Sequence, residues 1–438
     1  MKRKEHTPEE QLAAARIPDS EAPYELPEGW TWVRLGGVTC NHGQKKPEKE
    51  FTYIDIGSID NVHQQLGSLE NRLKPQDAPS RARKIVHEGD ILYSTVRPYL
   101  HNMCRVTQKI EPEPIASTGF AVLSPNEEIN GAFLFEYLRS SMFDQYANNP
   151  LNSRGINYPA IQEKVLLCAP IPLPPLAEQH RIVRRIEALY QKLDAAEEKL
   201  NAVEASFVTR KNALLQKAFS GMLTREWRQK NGFSEEHEGN EKIPSSWNWK
   251  SLGKVAKWGS GGTPLRRESS YYHGDILWIK SGELKEKYIS DTEEKITQKA
   301  LKESSAKIFP IHTVVIAMYG ATIGQVAIMA KEASTNQACA CAVCSEELFY
   351  EYLYYFLVSQ KDAFTLLGRG GAQPNISQMI LKKYSIPLPP FDEQREIVRR
   401  LDALLARESH ARAAVAAARQ QLQTLRTTLL AHAFRGRL

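Results

Sequence analysis

The sequence predicts an α+β protein in which two globular domains are separated by an antiparallel pair of long coiled-coil helices, the whole related by an internal pseudo-twofold repeat. Three observations carry this prediction. Pro27, Trp30, Trp32, Leu35, Gly36 and Val38 recur as Pro244, Trp247, Trp249, Leu252, Gly253 and Val255, an offset of 217 residues. The stretch 171–189, IPLPPLAEQHRIVRRIEAL, recurs at 386–404 as IPLPPFDEQREIVRRLDAL, with 13 of 19 positions identical. After each Pro-Pro pair the apolar residues advance by alternating steps of four and three, the 3.5-residue period of a coiled coil.

At 438 residues the chain has room for about three domains of ~150 residues, or for a duplicated unit. Hydrophobic residues make up 42% and charged residues 25%, and no apolar run approaches the ~18 residues that cross a bilayer, which excludes a helical membrane protein. A net charge of +6 permits a polyanionic partner without requiring one. Residues 1–26 are charged and contain proline but have no apolar core of a secretory signal, so a polar N-terminal tail and a cytoplasmic location are expected.

Residues 27–175 form the first domain, with strands expected at 51–59 and 90–96 and a helix at 131–148 that carries Phe133, Tyr137, Met142, Phe143 and Tyr146 at near-helical spacing. Residues 176–223 form the first spacer helix, whose packing stripe is Ile182, Ile186, Leu189, Leu193, Leu200, Val203 and Phe207. The polar, glycine-containing stretch 224–243 reads as a linker. The second domain, 244–390, has strands expected at 276–280 and 313–318 and a helix at 346–367. Its Cys339, Cys341 and Cys344 lack a second Cys or His pair at zinc spacing and read as buried thiols of a strand. The second spacer helix, 391–438, carries Ile397, Leu401, Leu404, Val415, Leu422, Leu425 and Leu429, with Glu408 as the one discordant position. Gly221 and Gly436 stand where a left-handed residue would close each helix. Two such stripes in one chain bury most simply against each other, and the direction of the chain makes the pair antiparallel. The ~34 residues from 182 to 215 span ~50 Å at 1.5 Å per residue, about 15 base pairs of B-form DNA.

Several chemistries are missing. Gly259, Gly261 and Gly262 lack the lysine of a phosphate loop. Asn149 and Pro150 are followed by Leu151, so the aminomethyltransferase signature is not formed. Neither a zinc-protease helix nor a nucleophile elbow is found. No catalytic residue, metal ligand or cofactor is therefore expected in this polypeptide.

Pro-Pro-Leu-Ala-Glu-Gln at 174–179, the heptads, then Ala218, Phe219, Gly221, Leu223, Thr224 and Trp227, with Pro-Pro-Phe-Asp-Glu-Gln at 389–394, resemble the specificity (S) subunit of type I restriction-modification systems. The resemblance runs from about Pro27 to Leu438. It implies two target-recognition domains, each reading one half of a bipartite asymmetric sequence in double-stranded DNA. It further implies spacer helices that dock two methyltransferase (M) subunits, which would hold S-adenosylmethionine, with ATP-driven restriction (R) subunits joining the complex. Base contacts do not carry over from the family, because its recognition domains differ most where they touch DNA.

Reading base edges calls for Arg toward guanine and Asn or Gln toward adenine, on loops that can enter a groove. In the first domain the candidates are Asn41, His42, Gln44, Lys45 and Lys46; Ser94, Thr95, Arg97 and Tyr99; and Ser153, Arg154 and Asn157. In the second they are Ser260, Thr263, Arg266 and Arg267; Lys280 and Ser281; Tyr319; Asn336 and Gln337; and Arg369, Gln373 and Asn375. Glycines at 259–262 and 368–371 would let the backbone approach phosphate. The competing reading is a coiled-coil scaffold that recruits proteins without touching DNA.

Overall fold

The computed structural model describes residues 8–155, 158–233, 243–368 and 375–438. The chain divides into two units, Met1–Leu200 with Ala416–Leu438, and Asn201–Val415. Two helices dominate, Leu176–Phe219 and Phe391–Ala433, of 44 and 43 residues. Each starts right after a Pro-Pro pair, whose second carbonyl accepts the first helical bonds: Pro175 from Glu178 and Gln179, Pro390 from Glu393 and Gln394. Each unit contains part of both helices.

In the first unit the strand Thr31–Arg34 pairs antiparallel with Pro170–Leu173, with Thr31 opposite Leu173. In the second, Asn248–Ser251 pairs with Ser385–Leu388, with Asn248 opposite Leu388. The first two repeated stretches of sequence are thus partners in one small sheet, which ties the two ends of each domain together. What lies between them is free to differ. The first unit has two four-stranded sheets, the second a five-stranded and a three-stranded sheet.

The core of the first unit joins Ile91, Tyr93, Leu123, Phe133 and Tyr137 to Ile182 and Ile186 of the first long helix and to Leu430, Ala433 and Phe434 of the second. Because the start of one helix meets the end of the other, the pair runs antiparallel here. The second unit repeats the arrangement in reverse, with Leu215 and Ala218 in one cluster with Ile397, Val398 and Leu401. Each such fully buried aliphatic or aromatic side chain contributes about 1.5–3 kcal/mol.

Of the stripe expected from the heptads, Ile182, Ile186, Phe207, Ile397 and Leu401 are buried, while Leu189, Leu193, Leu200, Val415, Leu422 and Leu429 are half-buried. Val203, Leu404 and Leu425 are exposed. Two helices alone cover only a narrow seam, so residues at its margin keep contact with water. Toward the helix ends burial moves one position along, to Leu215 and Leu430, where the globular domain covers a wider face. The discordant Glu408 has a local function: it accepts hydrogen bonds from Arg412 (2.9 and 3.2 Å), whose guanidinium lies 4.5 Å from the Phe207 ring centroid.

Gly221 and Gly436 are both left-handed, with φ of 79° and 67°. A Cβ on either would stand 2.3 Å from the Cγ of a repeat-opening proline, Pro244 or Pro27 respectively. The two expected single helices are each broken in two. Gly131–Leu138 is followed by Ser141–Ala147, because the Ser140 hydroxyl caps a new start by accepting from the Phe143 amide. Tyr350–Ser359 is likewise followed by Lys361–Leu367.

The polar stretch before Pro27 is tied to the fold from its helix Pro8–Ala15 onward. Ala15 and Ile17 are buried, the Ile17 amide donates to the Trp32 carbonyl, and the Tyr24 hydroxyl donates to the Phe434 carbonyl at 2.6 Å. Its few apolar side chains are enough to anchor it. The stretch read as a linker also begins in order, with the helix Arg225–Lys230. There the carboxylate of Glu393, fully buried, accepts from Thr224 Oγ1 (2.7 Å), Arg228 Nη1 (2.6 Å) and Trp247 Nε1 (2.8 Å).

Candidate nucleic-acid interface

In the first unit the strand Ile91–Ser94 pairs antiparallel with Phe120–Pro125, and Ser94 lies opposite Phe120. The chain beyond Ser94 is held on both sides: the Thr95 amide donates to the Gly119 carbonyl, the Ile161 amide to the Thr95 carbonyl and the Arg97 amide to the Pro159 carbonyl. This brings 94–97 beside the small hairpin of Ser153–Arg154 and Ala160–Ile161. Ser94 and Thr95 spend their hydroxyls on the backbone carbonyls of Val96 and Gly119. Arg97 and Tyr99 remain as the available groups. Arg97 has φ of 50° and stacks 4.3 Å above the exposed Tyr158 ring, and its buried Nε has no partner. Asn157 lies outside the described residues.

The segment 41–46 divides. Gln44 forms a bridge with Lys84, the Lys45 amide donates to Arg83, and Lys45 Nζ binds the Glu113 carboxylate at 2.7 Å. Lys84 in turn pairs at 2.7 Å with Glu163, which follows the hairpin, so Gln44 and Lys45 are linked through neighbours to the Ser153–Ile161 region. Lys46 is exposed, and Asn41 turns inward on its own loop to accept from the Gly43 amide. His42 sits elsewhere, at the opposite end of the Ile91–Ser94 strand, against Asp90 and Ser124.

In the second unit several of the described candidates are linked by backbone and side-chain bonds. Ser260 lies opposite Ala340 at the end of a strand, and the Asn336 amide donates to the Ile279 carbonyl next to Lys280 and Ser281. Thr263 donates to Gln337, and the Met318 amide donates to Ala338, which brings Tyr319 alongside. Tyr319 bridges to Asn375 and is 41% exposed. Asn336 Oδ1 is buried without a partner. Arg266 lies over the rings of Trp278 and Tyr272, with centroids at 4.9 and 5.0 Å, and pairs with Glu294. Lys280 reaches Glu293 at 2.9 Å and Glu294 at 3.0 Å. The hydrogen bond from Arg266 holds the Glu294 carboxyl below its ordinary range, and the bond to Glu293 raises Lys280. Arg267 is exposed, while Arg369 and Gln373 lie outside the described residues.

The glycines at 259–262 serve the fold more directly than a phosphate. A Cβ on Gly261 would stand 1.9 Å from the Thr335 carbonyl oxygen and one on Gly262 2.0 Å from Ser305 Oγ. The Gly262 carbonyl also accepts from Trp278 Nε1 at 3.0 Å. At Gly261 and Gly262 a side chain would collide with neighbouring chain, so the fold itself requires glycine at both positions. The three clustered cysteines lie on the strand Cys339–Cys344, with Cys339 and Cys341 in the apolar core and burial pushing the thiols of Cys341 and Cys344 up to about 12.

The duplicated frame coincides with the result of comparison against known families. The model of the type I restriction modification DNA specificity domain matches residues 27–205 and again 244–413. The chain belongs to this family. Both matches open at the frame prolines, Pro27 and Pro244. Among relatives of this specificity-domain family, the type I restriction enzyme EcoDI specificity subunit of Escherichia coli is 29% identical over 225 residues, 51% of this chain and 49% of that subunit. The chain thus spans about half the length of that relative. The HsdS subunit from Thermoanaerobacter tengcongensis superposes with a TM-score of 0.72 at 29% identity, covering 96% of this chain and all of that one. A chain solved in work on complex assembly and conformational transition of the type I R-M system gives 0.70 at 28% identity, covering 95% of this chain and 100% of that chain. No helix among the described residues is long and apolar enough to cross a membrane.

Sequence reasoning missed Tyr158 beneath Arg97, the Tyr272–Trp278 platform beneath Arg266, and the carboxylates Glu293 and Glu294 that hold the second unit's cations. Arg97 and Tyr158 stand 61 residues apart, and no sequence pattern links them. The adjacent Glu293-Glu294 pair was visible but carried no indication of its partners.

Proposed function

We propose that this chain is the non-catalytic reader of a type I restriction-modification complex, each unit contacting one half of a bipartite, asymmetric site in double-stranded DNA. The observation that carries the proposal is the repeated frame with two dissimilar inserts, each presenting its own cluster of Arg, Lys, Asn, Gln and Tyr side chains. One frame with two chemically different surfaces suits two different half-sites. Arg97, Lys46, Arg266, Arg267 and Lys280 would supply the salt-sensitive part of affinity, and Asn336, Gln337, Tyr319 and Asn375 the discrimination of bases. The exposed Glu293 and half-buried Glu294 beside Arg266 and Lys280 would be displaced by phosphate, since surface ion pairs contribute about 0.2–1 kcal/mol.

The long helices would dock two M subunits, each taking one flipped adenine into its own pocket, and R subunits would join that core in the cytoplasm. S-adenosylmethionine and ATP would bind those partners. This chain then contributes site selection, with no proton or methyl transfer of its own. The test is exchange of residues 38–168 for those of a relative, reconstitution with M subunits, and mapping of modified adenines by long-read sequencing. One half-site should change and the other remain. Change in both halves or in neither refutes the assignment, as does methyl transfer by the purified chain alone. A protein scaffold would instead show no sequence-selective DNA retention at any salt concentration.

A further inference from the structure

We propose that the first unit carries a divalent-metal site of the zinc class, formed by His42, His87 and Asp90. A ligand atom from each lies within 4.8 Å of the other two. The three come from separate places: His42 follows the strand Thr39–Cys40, whereas His87 and Asp90 bracket the turn, with Gly89 at φ of 93°, that leads into Ile91–Ser94. The two imidazoles meet edge to face with centroids 4.0 Å apart.

Asp90 is what makes the cluster more than two neighbouring histidines. Its side chain is 3% exposed, and among the described residues no lysine or arginine pairs with it. A carboxylate so deeply placed needs a positive partner or several donors. Its Oδ2 accepts from the His87 amide at 2.7 Å and its Oδ1 from Ser124 Oγ at 2.5 Å, while His42 Nε2 stands 3.3 Å from Oδ1. These bonds fix the carboxylate in the way outer-shell groups orient a metal ligand. His42 turns the same nitrogen, Nε2, toward Ser124 Oγ (2.8 Å) and toward Asp90, so the three do not form the Ser-His-Asp relay, which uses both ring nitrogens.

Two imidazole nitrogens and one carboxylate oxygen are the donor set of zinc sites that keep a fourth position for water. The cluster faces a cleft of about 750 Å³ also lined by Cys40, Arg105 and His180, which gives that water room. At metal–ligand distances of about 2.0–2.2 Å the donors must draw together by about 1 Å. The His42 side chain, 28% exposed, has the freedom to do so. A bound ion would pin residue 42 to the turn before Ile91, and with it the start of the segment that bears Gln44, Lys45 and Lys46. Metal binding itself does not depend on the DNA-reading proposal.

The experiment titrates the full chain, stripped with chelator, with Co²⁺ by visible absorption and with Zn²⁺ by calorimetry. One ion per chain is expected. His42→Ala and His87→Ala, both changes to side chains with solvent access, should abolish that ion, and Ser124→Ala should weaken it by about 10–100-fold. His312→Ala, which removes a ring stacked on Tyr350, should leave it unchanged. Unaltered stoichiometry and affinity in both His42→Ala and His87→Ala overturns the proposal. So does a cobalt spectrum dominated by thiolate charge transfer and lost when the cysteines are alkylated, since the ion would then sit on the cysteines.

Discussion

Replacing Arg228 with methionine isolates a charge that the second unit has buried. Glu393 is fully buried and Arg228 is 5% exposed, so solvent screening offers little relief when the guanidinium is removed. Thr224 and Trp247 still donate to the carboxylate, but its charge loses its counterion. Breaking such a pair from one side costs about 3–5 kcal/mol. In a unit of this size, each kcal/mol moves the midpoint by about 2–4 °C, so the second unit should melt roughly 6–20 °C lower. The first unit supplies the internal control. Glu178 occupies the equivalent place in the repeat, yet it pairs with Arg181 at the surface, with side chains 30% and 47% exposed. Arg181→Met should therefore cost no more than about 1 kcal/mol. Hydrogen exchange read by mass spectrometry on peptides covering 222–231 and 391–398, beside thermal melts, measures both variants. The double variant R228M/E393Q should recover much of the loss, because a neutral buried pair is often as stable as the ionic one. A loss below 1 kcal/mol for Arg228→Met, or one equal to that of Arg181→Met, refutes the reasoning.

Three further outcomes follow from the geometry. Gly261→Ala places a methyl 1.9 Å from the Thr335 oxygen and should destabilise by about 1–3 kcal/mol or more in denaturant melts, whereas Gly282→Ala meets nothing within 4 Å and should stay within about 0.5 kcal/mol. The bonds from Arg399 and Arg400 hold the Glu396 carboxyl down at about 2; its contribution is complete above the unfolded value near 4.5 and is lost as pH falls through about 2. Glu396→Gln should thus be less stable at pH 7, by at most about 1 kcal/mol, and indistinguishable below pH 2. Arg266→Ala should lower the slope of log affinity against log salt for the assembled complex by about 0.9, while Arg412→Ala, stacked on Phe207, should leave it unchanged.

The parts of the fold that were legible in sequence are those governed by periodicity or punctuation. The Pro-Pro stops place both helix starts, and Gly221 and Gly436 close their ends because only a residue without a Cβ fits against Pro244 and Pro27. The 3.5-residue stripe finds the helices but not the width of their seam, which depends on what else covers them, so Leu425 was expected inward and lies 53% exposed. Ser140 hides a helix break inside an apolar run, since a serine can sit on a helix or begin one. Glu178 and Glu393 look identical in the Glu-Gln motif; the 224–228 segment folding over Glu393, together with Trp247, separates them. At the candidate site, loop residue types were visible, but their partners were not. The difference between the half-buried Arg97, stacked on Tyr158, and the buried Ser94 rests on bonds to Gly119, Pro159 and Ile161 that no local pattern announces.

Gln179 and Gln394 show how one seat can hold two dissimilar inserts. Each is fully buried at the start of a long helix, and each makes the same three bonds. Gln179 accepts from the Asn130 amide and donates to the carbonyls of Glu128 and Pro174; Gln394 accepts from the Phe349 amide and donates to those of Glu347 and Pro389. All six partners are main-chain atoms, four carbonyls that every amino acid supplies and two amides that every amino acid but proline supplies. A clasp that is blind to side chains lets the neighbouring loops vary while the seat that holds them to the start of each long helix stays the same.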